Sequence, residues 1–196
     1  MQRIFLVSQK AISRLKQRAR RMKREKDIPH YEALEITAKA AGFDNWHQAA
    51  EAAEKCKPIE EAYYRGFLLA FDPSEVPDTE DEDSPIKWEP YAFELLQDQL
   101  FENYASQLDE EDPDERPISE TLDPRDLKEY FSDDWSSMYF FRLKRPEQVT
   151  TIEHVLSLVS KHSFWPPYFV FFKGRLVDTS RQPALNADGE VVGIRF

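Results

Sequence analysis

The sequence predicts an α+β protein in which an N-terminal three-helix module precedes an α+β domain with a small, mostly antiparallel sheet. Apolar residues recur every three or four positions through residues 8–56, between residues that cap helices. The C-terminal third instead combines short apolar runs of strand length with tight turns. The 196 residues are enough for a small module fused to a second domain, and we expect domains at 1–57 and 58–196.

The first helix is predicted to begin after Ser8 and to end near Lys26. Four apolar residues recur at spacings of three and four and form one stripe: Ile12, Leu15, Ala19 and Met22. A second face carries four basic residues at similar spacings: Lys10, Arg14, Arg18 and Arg21. The helix is therefore expected to have a packing side and a cationic side.

The second and third helices are predicted to follow directly. Pro29 begins the second, and Gly42 suits its C′ position because glycine accepts a positive φ without a Cβ penalty. Asp44 is expected to cap the third helix, which should end near Lys55 because Pro58 lacks the N–H that a helix interior needs. The expected inward stripes are Tyr31, Leu34, Ala38 and Ala41 in the second helix and Trp46, Ala49, Ala50 and Ala53 in the third. The core should include Leu15, Leu34, Phe43 and Trp46.

Residues 31–46, preceded by a basic helix, resemble a small helical module that is common in bacteria. The shared residues are Ala33, Leu34, Ala38, Gly42, Phe43 and Trp46. The module is similar to one that accompanies proteins labelled glyoxalase-superfamily, and to modules of uncharacterised plasmid-borne proteins. The resemblance implies a fold, a bacterial source and a link to mobile elements. It implies no reaction, because packing and capping account for every shared residue.

The second domain is predicted to begin with a buried strand at residues 66–71, with a continued helix from Ile59 as the alternative. Pro90 begins a helix with the apolar face Phe93, Leu96, Leu100, Tyr104 and Leu108, and Asp123 opens a short helix to about Phe131. The C-terminal third should contain a strand at 138–143, a helix capped by Thr150 and Glu153 to about residue 161, a hairpin of 168–172 and 175–177, and a last strand at 190–196.

Charge is distributed unevenly along the chain. The net charge is −11, but residues 1–26 carry ten Lys or Arg against one acid, a net charge of +9. The remaining chain has a net charge of −20, with acidic tracts at residues 72–83 and 109–115 that are predicted to be solvated loops. Such asymmetry predicts that the two segments bind separate charged partners or pair with each other.

Composition also indicates a compartment. No apolar run approaches the ~20 residues that a membrane span requires. The short apolar patch at residues 4–7 precedes the basic cluster, which is the reverse of the order in a signal peptide. The single Cys56 has no cysteine to pair with inside the chain. These features predict a cytoplasmic protein with no membrane partner.

No pattern for catalytic, metal or cofactor chemistry is recognisable. Asp78, Glu80, Glu82 and Glu89 occupy positions 1, 3, 5 and 12 of a possible calcium loop, but Asp83 stands where the loop needs glycine. None of the four histidines has a metal-ligand spacing to Cys56 or to another histidine. With five glycines in the chain, loops that cradle phosphates are not expected. We therefore predict no catalytic residues, no metal and no cofactor.

The basic side of the first helix is the strongest functional candidate, because Lys and Arg neutralise nucleic-acid phosphates. The third helix has acids and no Lys or Arg before Lys55, so base readout from it is not expected. We expect a non-enzymatic bacterial interaction protein that binds nucleic acid or an acidic protein through Lys10, Arg14, Arg18 and Arg21. Two alternatives stay open: the basic side pairs with the protein's own acidic loops, or the protein is an enzyme whose site combines scattered carboxylates and histidines.

Overall fold

A computed structural model describes residues 4–77, 82–186 and 188–195 of the chain. The chain divides into two compact units, a helical unit that ends at Glu60 and an α+β unit that begins at Glu61. The α+β class is confirmed, with three N-terminal helices followed by helices and a five-stranded antiparallel sheet. In the described part of the chain, no helix is both long enough and apolar enough to cross a bilayer.

The helical unit contains α1 (Gln9–Lys26), α2 (His30–Ala40) and most of α3 (Trp46–Arg65). The predicted limits of α1 are confirmed, and the Ser8 side chain caps it by accepting a hydrogen bond from the Ala11 N–H. α3 is capped one residue later than predicted. Asn45, not Asp44, accepts the N–H of Gln48 at 2.8 Å, while the Asp44 carboxylate accepts from the Gln48 side chain.

The end of α2 forms the predicted glycine cap. Gly42 has a φ of +91°, and its N–H donates to the carbonyl of Lys39. The N–H of Phe43 donates to the carbonyl of Ala38, which completes a Schellman motif. The Phe43 ring then folds back towards the unit's core and contacts Phe5, with ring centroids 4.9 Å apart.

The core of the helical unit is built from small side chains. Its buried cluster is Val7, Ile12, Ala38, Ala49, Ala52 and Ala53. The predicted core residues Leu15, Phe43 and Trp46 are only partly buried and pack around this cluster, and Leu34 is also only partly buried. Alanine faces let helix backbones approach closely, so larger side chains move to the rim. For the same reason two predicted members of the α2 stripe are wrong: Tyr31 is 71% exposed and Ala41 is exposed, while Ala33 and Thr37 are buried instead.

The prediction that Pro58 ends the third helix is wrong. α3 continues through Pro58 to Arg65, and β1 (Phe67–Phe71) begins two residues later. An interior proline costs a helix about 3 kcal/mol. Burial of Ile59 and Tyr63, each 3% exposed, offsets that cost over the two turns beyond the proline. The strand predicted at residues 66–71 is therefore confirmed, and the alternative of helix through that segment is wrong.

The α+β unit is organised around one antiparallel sheet, ordered β2-β3-β1-β4-β5. Its strands are β1, β2 (Ile86–Trp88), β3 (Tyr139–Leu143), β4 (Phe169–Phe172) and β5 (Arg175–Asp178). Every residue of the central strand β1 is buried, as expected for a sheet that is covered on both faces. The predicted hairpin is confirmed, and its turn residues Lys173 and Gly174 both have positive φ.

Helices cover the two faces of this sheet. The helices of this unit are α4 (Ala92–Ala105), α5 (Ile118–Thr121), α6 (Pro124–Trp135) and α7 (Ile152–Val159). Val155 and Val159 of α7 pack in one cluster with Leu69 and Phe141. Trp135 of α6 stacks on Phe169 with ring centroids 4.8 Å apart. A separate two-stranded sheet joins β6 (Ala184–Leu185) to β7 (Val191–Gly193), so the predicted last strand is shorter than expected.

Two further predictions in this unit need correction, and two short elements were not predicted. Leu108 is 58% exposed, because α4 ends at Ala105, one turn before it. Thr151 rather than Thr150 caps α7, where its side chain accepts the N–H of His154. β2 and the short α5 have no counterpart among the predicted elements, since each is too brief to show a period.

Candidate nucleic-acid interface

The first turn of α1 is anchored by α3. The Gln9 N–H donates to the Glu60 carboxylate at 2.7 Å, and the Gln9 side chain donates to the Ala53 carbonyl at 2.9 Å. The Glu60 carboxyl is largely buried, and its burial raises its pKa, although the hydrogen bond from Gln9 acts in the opposite direction. α1 is therefore held at its N-terminus by a carboxylate as well as by the Ser8 cap.

One side of α1 is committed to packing. Ile12 is 4% exposed and Ala19 is fully buried, while Leu15 and Met22 are partly buried. With a rotation of about 100° per residue, these four residues lie within an arc of about 80°. The predicted apolar stripe is therefore confirmed, and the rest of the helix circumference lies outside the core.

The four predicted site residues lie together on the exposed side. Lys10, Arg14, Arg18 and Arg21 share an arc of about 80° and are all exposed. We call them the first basic row. In the described residues of the helical unit, none of the four has a carboxylate within 4.0 Å; the ion pairs there join Lys55 to Glu51 and Lys57 to Glu54, both within α3.

The exposed basic surface is wider than the sequence prediction. Lys16, Arg20 and Lys23 are also exposed and form a second line on α1, which we call the second basic row. The Lys16 ammonium lies 6.0 Å from the centroid of the Trp46 ring. The spacing of residues 16, 20 and 23 can be recognised in the sequence. The exposure of this side of α1, however, follows only from the way α2 and α3 pack against the helix.

The concentration of positive charge on α1 works against the helix. Eight pairs of basic residues stand three or four positions apart, and each such like-charge pair costs about 0.2–0.5 kcal/mol. The helix dipole offsets part of this only in the last turn, where Lys23, Arg24 and Lys26 lie near the negative end. A bound anion would relieve the repulsion along the whole helix.

The acidic tracts are partly engaged with cations of their own unit. Asp112 accepts two hydrogen bonds from the Arg116 guanidinium, at 2.7 and 3.0 Å, which holds the pKa of Asp112 at about 2. Glu110 pairs with Arg181. These tracts border a depression of about 1420 Å³ whose described lining includes eight carboxylates and no histidine: Asp72, Asp109, Glu110, Asp112, Glu115, Asp133, Asp134 and Asp178.

Among the other candidate residues that the structure describes, no metal site is formed. Asp78 and Glu80 of the possible calcium loop lie outside the described residues, whereas Glu89 pairs with Arg142 at 2.6 Å. Across the described ranges no three His, Cys, Asp or Glu side chains are placed to hold a metal ion. Cys56 is 5% exposed, which limits access of reagents to its thiol.

Comparison with known proteins gives no relative from which a role could be transferred. No family model, no curated protein and no solved structure matches the chain. The exposed surface of α1 is therefore the basis on which a function can be proposed.

Proposed function

We propose that this chain is a non-enzymatic interaction protein that binds a polyanion, nucleic acid in the first instance, through the first basic row of α1. The observation that carries the proposal is the exposure of all four row residues together with the absence of a carboxylate partner in the described helical unit. Cations in this arrangement can contact phosphates without first breaking an ion pair within the described helical unit.

The packing of α1 supports the same proposal. Its apolar stripe is buried and its first turn is hydrogen-bonded to α3, so the basic residues are displayed from a fixed helix. A preformed cationic surface avoids the entropy cost that a disordered basic tail incurs on binding. The acidic remainder of the chain repels polyanions at long range, but salt screens that repulsion beyond about 8 Å.

The resemblance and the composition suggest a setting for this activity. We propose a bacterial, cytoplasmic protein linked to a mobile element, because the residues shared with the plasmid-borne module include Gly42 and Phe43 and because the lone Cys56 fits a reducing compartment.

A binding titration tests the proposal. Arg14→Glu with Arg18→Glu should lower the affinity for a fluorescent DNA or RNA at least tenfold at ~50 mM salt, because two phosphate contacts become repulsions. The matched control is Arg125→Glu with Lys128→Glu, which makes the same charge change on exposed positions of α6. The control should retain the affinity of the natural chain.

Titration with poly-glutamate and unfolding of the same variants separate the alternatives. Binding to poly-glutamate but to no nucleic acid would indicate an acidic protein partner. If no polyanion binds, and the Arg14/Arg18 reversal lowers the free energy of unfolding more than the control does, the row pairs with the protein's own carboxylates. Either result would contradict nucleic-acid binding.

A further inference from the structure

The exposed part of α1 carries polar and basic residues in lines along the helix, and phosphate binding by the first basic row involves only one of these lines. Through residues 10–25 the exposed positions cover about 220° of the helix circumference. The two basic rows are centred about 150° apart on this surface. Between them runs a line of exposed residues, Ser13, Gln17 and Arg24, which we call the crest.

We infer that α1 lies in the major groove of B-form duplex DNA, with one basic row on each phosphate backbone and the crest towards the base edges. This inference rests on the proposed function, and it adds the form of the nucleic acid and the direction of the helix surface. It also gives α1 the role that the third helix holds in DNA-binding modules of the helix-turn-helix type.

The dimensions of α1 fit this placement. Its 18 residues span about 27 Å, and a helix with side chains is about 10–12 Å across. The major groove of B-form DNA is about 12 Å wide and admits one α-helix. Because packing uses only the buried stripe, more than half of the circumference is free to enter the groove.

The chemistry of the crest fits base edges. Glutamine can form two hydrogen bonds with adenine, and arginine can form two with guanine. Gln17 and Arg24 stand seven residues apart, about 10.5 Å along the helix axis, which corresponds to about three base pairs. The Arg24 Nε donates to the Arg20 carbonyl at 3.3 Å, which leaves the terminal guanidinium nitrogens for a base.

The surface is less suited to single strands and to double-stranded RNA. Single-stranded nucleic acids are bound by stacking bases on aromatic rings. α1 has no aromatic residue, and of the Phe, Tyr and Trp side chains in the described helical unit only Tyr31 of α2 is exposed. The A-form major groove of RNA duplexes is too narrow for side-chain readout. We therefore expect the chain to bind duplex DNA more tightly than single-stranded nucleic acid or double-stranded RNA.

The salt dependence of binding tests the placement of both rows. Seven row contacts predict a slope of log affinity against log salt near −6 on a 20-base-pair DNA duplex, whereas the first row alone predicts about −3.6. Arg20→Gln with Lys23→Gln should reduce the slope by about 1.8. The same two changes at Arg125 and Lys128 should leave the slope unchanged. A slope near −3.6 that Arg20→Gln with Lys23→Gln does not alter would overturn the inference.

Selection from a randomised duplex pool tests the crest. The full chain should enrich a short motif that contains adenine and guanine about three positions apart, and Gln17→Ala should abolish the adenine preference with a loss of about tenfold in discrimination. Gln97→Ala, a change at an exposed glutamine of α4, serves as control and should keep the motif. Equal binding of DNA, RNA and single strands with no enriched motif would overturn the inference and leave the proposed function standing. Failure of every nucleic acid to bind would overturn both.

Discussion

Replacing Ile12 with alanine should destabilise the helical unit strongly, because Ile12 is the largest side chain in its buried cluster. Ile12 is 4% exposed and packs with Val7 and with alanines such as Ala38 and Ala49. The matched control is Ile36→Ala in α2, where the same side chain is 37% exposed. The two variants make the same chemical change in the same unit at different depths.

The expected magnitude follows from the neighbours of Ile12. Loss of three buried carbons costs about 2.4 kcal/mol in transfer free energy. The surrounding alanines have no side-chain torsion with which to refill the cavity, so a cavity cost of about 1 kcal/mol is added. The higher helix propensity of alanine returns about 0.4 kcal/mol. We therefore expect a loss of about 3 kcal/mol for Ile12→Ala, and about 1 kcal/mol for Ile36→Ala.

Urea unfolding followed by circular dichroism measures both losses, with hydrogen exchange of peptides from α1 to locate them. The slope of the free energy of unfolding against urea concentration should be the same for both variants and the natural chain. This is because the variants change stability and not the surface exposed on unfolding. Equal losses for the two variants, or a loss below about 1 kcal/mol for Ile12→Ala, would show that α1 is not packed as described.

Three other predictions concern the α+β unit and Cys56. Arg195→Ala removes one partner of the largely buried Arg195–Glu75 ion pair and should cost about 3 kcal/mol by urea unfolding. Arg181→Ala, at the exposed pair with Glu110, should cost less than about 1 kcal/mol, and equal costs for the two variants would contradict the difference in burial. Arg116→Ala should raise the pKa of Asp112 from about 2 towards its ordinary value, as measured by an NMR titration. In the natural chain, the stabilisation from the Asp112–Arg116 pair should be present above about pH 4 and should be lost as the pH falls and Asp112 is protonated. Cys56 should react with a thiol reagent more slowly than a free cysteine until denaturant is added, and rapid labelling of the native chain would contradict its burial.

Local signals in the sequence account for much of the helical unit. The Ser8 cap and the Gly42 turn each depend on one residue type at one position, so α1 and the end of α2 can be predicted closely. Adjacent polar residues make caps ambiguous by one position, as at Asp44 and Asn45. Pro58 predicts the end of α3 wrongly, because the cost of a proline inside a helix is offset by the burial of residues that follow it.

Features that depend on tertiary packing cannot be predicted in the same way. The strand order requires pairing between distant segments, such as β1 with β3 and β4, which no periodicity encodes. The spacing of Tyr31 matches a core position, but small residues such as Ala33 and Thr37 face inward and let the helices approach. The first basic row is visible in the sequence, whereas the exposed width of α1 depends on how its other side is covered.

The proposed function places nucleic-acid binding on the surface of α1. Amide chemical shifts of the full 23.1 kDa chain, titrated with a 20-base-pair DNA duplex at ~50 mM salt, test it most directly. We expect shift changes concentrated in residues 9–26, largest near Gln17 and the two basic rows, and lost in the Arg14→Glu, Arg18→Glu variant. Changes confined to the α+β unit, or no change at saturating duplex, would contradict it.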